Sequence, residues 1–477
     1  MKRTTLKTLI YEWRIFKARR ELQTEHDREG RVDVQVHKYC HIPVLYIVPK
    51  LAAVLHASLF DRMHRNTLDD FCMAIRPLLH VSRALGLAPL GYVRKTLPGG
   101  TISVQLVQSS PAVAYGIFVV VLHLCLFAVS IAFKFMYVFS QILDTDTVTD
   151  ILLHTTSITS LVSIVLSVTK NRNAFVRIMI LVSEIDSLIL PCPTEYYSRA
   201  NTRLINQLLV LCIFLGFTLT YDNITWSLIG LKIFAYSHLY VDTLIEWIVV
   251  IQFMNVVILL KNRFSLLNTR LSKSSGIFET ETAIQGFHLP LYGRTSTRNV
   301  KEIKPQLTRK EVLTLNNNHD TLVDAVLLVK STYEVQILFS LLSTFVGITI
   351  RSYFVLCGIY GYSTGNSKGI SFPRLLLSHS LWCSLHIARL LCIVIPCHSA
   401  NNHMAHTSTV LRKILLAFHT DPATMSELER FAHHVALRKF RFTVFGFLSL
   451  DLSLLVSMMG AVATYLVILM QFKINPN

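Results

Sequence analysis

The stretch LSLLVSMMGAVATYLVILMQF, Leu452 to Phe472, contains no Asp, Glu, Lys or Arg. A helix rises about 1.5 Å per residue, so about 20 such residues cross a hydrocarbon core of about 30 Å. The stretch therefore reads as a membrane span, and its polar members Thr464, Tyr465 and Gln471 need a reason to be there. At helical spacing, Ala461, Thr464, Ile468 and Gln471 share one face, while Tyr465, Leu469 and Phe472 form the neighbouring one. A glutamine amide turned to hydrocarbon would leave its polar groups unsatisfied, so Gln471 should face protein or water.

Six further stretches have the same character: Ala112–Val138, Ile151–Thr169, Ile205–Tyr221, Thr243–Leu260, Val335–Ile359 and Leu375–Ile395. With 52% hydrophobic residues, 16% charged residues and a mean hydropathy of +0.47, the chain is a polytopic membrane protein rather than a soluble domain. The formal charge of +17 could suggest nucleic acid, but its distribution does not. Roughly 39 of the 46 Lys and Arg residues precede span one or lie between spans two and three, four and five, and six and seven. Only Lys232, Lys368 and Lys473 fall in the alternate segments. The positive-inside rule then gives a cytoplasmic N-terminus, an odd number of crossings and an extracellular C-terminus, with no nucleic-acid partner.

The organisation expected is a basic cytoplasmic extension over 1–75 and an interfacial and cytoplasmic segment over 76–111. Spans one to six follow over 112–397, with a long cytoplasmic loop over 261–334. A cytoplasmic region over 398–451, the last helix over 452–472 and an extracellular tail over 473–477 complete the chain. His41–Phe60 is apolar but holds Pro43, Pro49 and Lys50, and reads as interfacial. Arg76–Val93 reads as an amphipathic helix on the inner leaflet, and Ser272–Asp320, with its NNNHD run, as a flexible insertion. The sequon Asn223-Ile224-Thr225 falls in the expected outer loop after span three, which makes Asn223 a glycosylation candidate. No Walker, HExxH, G-x-S-x-G or dinucleotide motif is present, so no enzyme activity and no cofactor are expected. Cys397, His398, His403 and His406 read as a solvated helix end rather than a metal site.

TYLVILMQF, Thr464 to Phe472, resembles the C-terminal signature of insect gustatory receptors. The preceding FGFLSLDLSLLVSMMGAVA looks like that family's approach to its last helix, through Gly446, Phe447, Asp451, Leu454, Leu455, Ser457, Met458 and Gly460. RFSLLNTRL, Arg263 to Leu271, is similar to the end of the family's fourth helix, Pro396-Cys397-His398 to the end of its sixth, and ALGLAPL, Ala84 to Leu90, to the stretch near which members begin. The resemblance covers about Arg76 to Phe472 and is most specific in roughly the last thirty of those residues. It implies an all-α fold shared with insect odorant receptors: seven transmembrane helices, four subunits and one pore, forming a ligand-gated, weakly selective cation channel in the plasma membrane of sensory neurons. Subunits would be identical or mixed with other gustatory receptors.

In such a tetramer the last helix lines the pore, with Gln471 and Phe472 around its narrow outer part and Thr464 and Ile468 facing the conduit below. The resemblance also implies a pocket for a small-molecule tastant in the outer half of each subunit. On helix five that half holds Thr349, Arg351, Tyr353 and Phe354; on helix six it holds His379, Trp382, Ser384 and His386. Trp382 shares a face with His379 and His386 by its i−3 and i+4 spacing, and such a group suits a sugar ring and its hydroxyls. The ending and Trp382 look most like the fructose-sensing branch, whereas Ile395 replaces an acidic residue expected there, which leaves a bitter tastant open. The rival from another class, a seven-helix G-protein-coupled receptor, needs the opposite orientation; a membrane transporter lacks support from any internal repeat.

The orientation is directly testable. An epitope placed after Asn477 should be stained on intact cells, and one placed before Lys2 only after permeabilisation; the reverse staining would restore the G-protein-coupled reading.

Overall fold

The structure is a computed structural model in which the chain divides into two units, Met1–Leu59 and Phe60–Asn477. It describes residues 70–96, 102–108, 110–137, 146–190, 193–228, 237–274, 307–363, 371–417, 421–438 and 440–474, all within the second unit. The expectations for His41–Phe60 and for most of the 1–75 extension lie outside the described residues.

The described elements are mostly helical. Helix α1 (70–84) leads into the strands β1 (Leu90–Thr96) and β2 (Ile102–Gln108), paired antiparallel from Leu90 with Gln108 to Thr96 with Ile102. There follow α2 (Ser110–Tyr137), α3 (Asp146–Val168), α4 (Ala174–Ile189), α5 (Pro193–Leu228), α6 (Ser237–Ser274), α7 (Arg309–Ser363), α8 (Ser371–Ala417) and α9 (Pro422–Leu437). The short hairpin β3 (Thr443–Val444) and β4 (Leu448–Ser449) then delivers the chain to α10 (Leu452–Ile474).

Six of these helices, α2, α5, α6, α7, α8 and α10, are long and apolar enough to cross a membrane. The expected second span is helix α3, whose apolar stretch among the described residues, His154–Val168, is shorter. The most apolar window of α6 is 72% buried, against 11% for α2 and α10. Helix α6 is thus the centre of the bundle, and the first and last spanning helices stand at its outside.

Local sequence explains where several elements begin and end. Helix α1 does not run on to Val93 as expected. Gly86 adopts φ +74°, and the Leu87 amide bonds back to the Ser82 carbonyl (2.7 Å) and the Gly86 amide to Arg83 (3.0 Å). That is a Schellman termination, available because glycine enters the left-handed region without strain, and the chain leaves it as strand β1. The apolar side of α1 and its terminating turn packs on protein, with Leu78 and Leu87 beside Ile164, Val168 and Ile248. At the start of α7, Thr308 and Glu311 form a reciprocal capping box, Thr308 N to Glu311 Oε2 at 3.0 Å and Glu311 N to Thr308 Oγ1 at 3.4 Å. Asp421 caps α9 through the Thr424 amide (3.2 Å), with Pro422 in the first turn.

Helices α7 and α8 run for 55 and 47 residues, roughly twice the length a bilayer needs. Their surplus turns replace much of the expected loop 261–334 and of the region after 398. The NNNHD run is a correction in particular. Asn316, Asn318 and His319 are buried within α7, and the His319 ring meets Phe264 at 5.8 Å and Phe431 at 5.7 Å. Val312, Leu315, Leu322 and Val323 carry that part of α7 into the core, a helical spacing hidden by the polar run between them. Likewise α8 does not end at Pro396. The proline denies the Cys392 carbonyl its helical partner, but Ile393, Val394, Cys397 and Ala400 are buried in the same core, and packing carries the helix through.

Arg263 of α6 and Asp186 of α4 are both buried and joined by two hydrogen bonds of 2.6 Å; the Tyr197 hydroxyl also donates to Asp186, and the Tyr196 ring lies 4.1 Å from the guanidinium. Removing one partner leaves a buried charge. Asp186→Ala should therefore destabilise the purified chain by about 3–5 kcal/mol, read as a lowered Tm and reduced surface expression, whereas Lys273→Ala at the exposed end of α6 should change neither.

Candidate functional site: a buried cation and aromatic cluster beside an uncovered last helix

Helix α8 buries a polar stripe, Ser378, His379, Trp382, His386 and Arg389, at spacings of one, three, four and three residues. The other walls come from α5, α6 and α7. Arg389 pairs with Glu246 of α6, donates from Nε to Thr344 Oγ1 of α7 (2.9 Å) and lies 2.9 Å from His386 Nδ1. One helical turn outward from His386, Trp382 is only 1% exposed, and its indole Nε1 has no hydrogen-bond partner among the described residues. The Arg351 guanidinium of α7 lies 5.1 Å from the Trp382 ring, and Tyr240 of α6 stacks on it at 6.3 Å and 19°. Arg351 Nη1 is 3.1 Å from His379 Nδ1, and Phe354 stacks on the His379 ring at 4.9 Å and 15°. Asp222 of α5 closes the outer end by accepting from the hydroxyls of Tyr240 (2.9 Å) and Ser378.

One glycine makes this possible. A Cβ on Gly347 would fall 2.5 Å from the His386 ring, so only glycine lets that imidazole lie against α7. The arrangement is closed, and it offers cation, imidazole, hydroxyl and carboxylate groups around an indole with an unused donor.

Of the expected pocket residues, Arg351, Phe354, His379, Trp382 and His386 come together. Tyr353 touches the cluster only through Phe354, at 5.7 Å. Thr349 is buried but donates to the Phe345 carbonyl of its own helix (2.9 Å), and Ser384 is exposed and donates to Leu381 (2.6 Å), so neither hydroxyl points into it. Sequence reasoning missed Asp222, Tyr240, Glu246 and Arg389. The signal that could have found the charged three is an ionisable residue set in an otherwise apolar helix. Asn223 is corrected as well. It lies inside α5 rather than in a loop, half-buried, and the buried Thr225 hydroxyl donates to the Tyr221 carbonyl (2.8 Å), so the sequon is not an exposed loop acceptor.

Helix α10 buries Leu454 and Val462 and packs Leu455, Met458 and Leu466 on the core. The Tyr465 ring meets Phe345 edge-on at 5.8 Å, and Met470 lies 3.9 Å from Cys357. Its other side is uncovered: Thr464, Ile468, Gln471 and Phe472 are exposed, Phe472 by 74%. Thr464 satisfies its hydroxyl on the Gly460 carbonyl (3.0 Å). The helix is fixed at its start by Asp451, which accepts from the Ser453 hydroxyl, the Ser449 hydroxyl (2.7 Å) and the Ser453 amide (3.0 Å); those bonds, the Ser453 hydroxyl's foremost, hold its carboxyl below the usual carboxylate range.

Six helices long and apolar enough to span, a buried polar cluster among them and a last helix exposing a glutamine and a phenylalanine give a multi-pass helical membrane protein. Its likeness to solved structures agrees. The olfactory receptor OR5 of Machilis hrabei superposes with a TM-score of 0.57 at 12% identity, covering 84% of this chain and 100% of the other. The same receptor in complex with eugenol gives 0.58 over the same coverage. At that identity the likeness concerns the fold alone. Residues 75–476 match the model of the 7tm chemosensory receptors, and the chain belongs to that family. It is a receptor and not an enzyme. Among curated relatives, the Drosophila melanogaster gustatory receptor for sugar taste 43a is 26% identical over 159 residues, 33% of this chain and 35% of that protein. The gustatory and pheromone receptor 32a of the same species is 29% identical over 106 residues, 22% of each. The chain thus matches about a third of the first relative's length and less of the second.

The cluster yields a prediction about Trp382. Trp382→Ala should raise the agonist concentration for half-maximal response about fivefold or more, for loss of about 1 kcal/mol of ring stacking, with surface expression measured in parallel. Trp382→Phe should recover part of the loss. A dose-response curve that does not move at normal surface expression would make Trp382 a packing residue only.

Proposed function

We propose that this chain is a gustatory receptor subunit that opens a weakly selective cation pore when a small-molecule tastant engages the cluster around Trp382. Four subunits, identical or mixed with other gustatory receptors, surround one pore in the plasma membrane of a sensory neuron; each has seven crossings, a cytoplasmic N-terminus and an extracellular C-terminus. The observation that carries this reading is the position of Arg351 on α7. It lies between Phe345 and Cys357, the two α7 residues in contact with Tyr465 and Met470 of α10. A ligand that displaces the guanidinium from Trp382 acts midway along the roughly three turns of α7, Phe345 to Cys357, that hold the last helix. Linkage then requires only that the tastant bind the two positions of α7 unequally.

The uncovered face of α10 suits a pore lining. Four phenylalanines at a constriction exclude water, and four glutamine amides offer polar contacts without charge. Stacking on Trp382 and hydrogen bonding by Arg351, His379, His386 and Asp222 favour a sugar such as fructose, and the partial identity to a sugar-taste receptor supports that choice. Ile395, in place of an acidic residue, leaves a bitter or other tastant open. Currents from this chain expressed alone, against a panel of sugars and bitter compounds, decide between them.

If Gln471 and Phe472 ring the pore, Phe472→Ala should raise leak current without agonist, because a hydrophobic gate depends on radius and apolarity together. Gln471→Glu would place up to four negative charges there and should strengthen cation preference and block by divalent ions. Unchanged permeation in both variants at normal surface expression would remove this face of α10 from the pore.

A further inference from the structure

A second polar site lies apart from the Trp382 cluster, beside the turn between α3 and α4 that carries Lys170, Asn171 and Arg172. There the structure holds a partly open cavity of about 30 Å³ between α1, α3, α4, α6 and α7. One wall is apolar, formed by Leu79, Leu87 and Leu90 with Phe175. The lining also carries three side-chain amides, Asn171, Gln252 and Gln336, and the exposed Arg172 stands among the lining residues.

The amides are turned one way. Gln336 Nε2 donates to the Ser163 carbonyl (3.1 Å) and Ser167 Oγ (3.3 Å), Asn171 Nδ2 to the Thr332 carbonyl (2.8 Å) and Gln252 Nε2 to Ser82 Oγ (2.6 Å). Gln336 thus spends both its N–H groups on the protein, while Asn171 and Gln252 each use one, and what Gln336 leaves for an occupant is carbonyl oxygen. Gln336 is 2% exposed and its Oε1 has no hydrogen-bond partner among the described residues. An unsatisfied buried acceptor is unfavourable, so a donor placed there is stabilised. The volume holds roughly two waters or one hydroxymethyl-sized group. Arg172 disfavours a cationic occupant, and the apolar wall accepts a hydrocarbon stem.

We propose that this cavity binds the hydroxyl of a neutral amphiphile, its O–H donated to Gln336 Oε1, its first carbon beside Leu79, Leu87 and Leu90, and the rest of its apolar stem continuing through the open side. Two sources share that chemistry, a membrane lipid with a free hydroxyl and a small alcohol from solution. Either would tie α1 to α7 without touching Trp382, so the proposal stands independently of the tastant site.

The test is equilibrium binding to the full chain in phosphatidylcholine nanodiscs. Labelled 1-hexanol should bind saturably, and hexyl methyl ether, which cannot donate, at least tenfold more weakly. Gln336→Met should lower hexanol affinity about tenfold, and Ala88→Leu, which intrudes from the apolar wall, should abolish binding, while Trp382→Ala should change nothing. Displacement of hexanol by diacylglycerol identifies the lipid source; binding of hexanol that diacylglycerol does not displace identifies the soluble one. Three results would overturn the proposal: no saturable binding, which leaves a cavity for water alone; equal binding of alcohol and ether; or loss of binding in Trp382→Ala but not in a Gln336→Met variant of unchanged Tm.

Discussion

The ion pair between Arg389 and Glu246 is the constraint on which the centre of this receptor turns. Both residues are essentially inaccessible, and each would be strongly unfavourable alone in an apolar bundle. Together they need α6 and α8 at one relative height and rotation. The further bonds of Arg389 to Thr344 and Ser343 extend that requirement to α7. Hydrophobic packing is tolerant of small slides between helices, whereas a paired charge is not. The register of the three central helices therefore follows from one guanidinium, and the stripe outward along α8, His386, Trp382, His379 and Ser378, faces its partners because Arg389 already does.

Other buried polar contacts attach the peripheral helices to this centre in the same manner. Asp242, four residues before Glu246 on α6, accepts from Ser157 (2.5 Å) and Ser160 (3.0 Å) of α3, and His123 of α2 lies 3.3 Å from it. Asp186 and Arg263 hold α4 to α6, and Asp222 draws α5 to α6 and α8. Within a membrane such groups must be satisfied by protein, so each contact fixes an orientation as well as a distance. The bundle is consequently organised around a few polar pins, with aliphatic packing filling the space between them.

Helix α10 is held differently. Among the described residues no buried ion pair lies on its spanning turns; its core-facing side is Leu454, Leu455, Met458, Val462 and Leu466, aided by Tyr465 against Phe345. Its start is firm, since the β3–β4 hairpin turns through Phe445 and Gly446 at positive φ, the Phe445 amide donates to Glu334 of α7, and the Phe442 amide donates to Asn401 of α8 (2.9 Å). A helix fixed at one end and held along its length by nonpolar contacts can tilt while its root stays in place. That mechanical contrast with the pinned centre is what a gating element requires.

The amino-acid sequence by itself determined the spanning helices and the family. Leu452–Phe472 and its five longer or similar companions carry their hydropathy locally, and the residues from Gly446 to Phe472 are contiguous. Trp382, His379 and His386 were legible for the same reason, since their spacing lies on one helix. Only the tertiary structure decided what those residues meet. Asp222, Tyr240, Glu246 and Arg389 come from three helices, and nothing in their local sequence states that they converge. Composition misled wherever packing overrode it: Asn316, Asn318 and His319 are buried because their helical neighbours are apolar, α8 passes Pro396 because the turns on either side are in the core, and Ser384 points outward because Trp382 and His386 take the inward positions. Hydropathy is a property of a segment, whereas the pairing of buried polar groups belongs to distant segments at once, and it is settled only when the helices have packed.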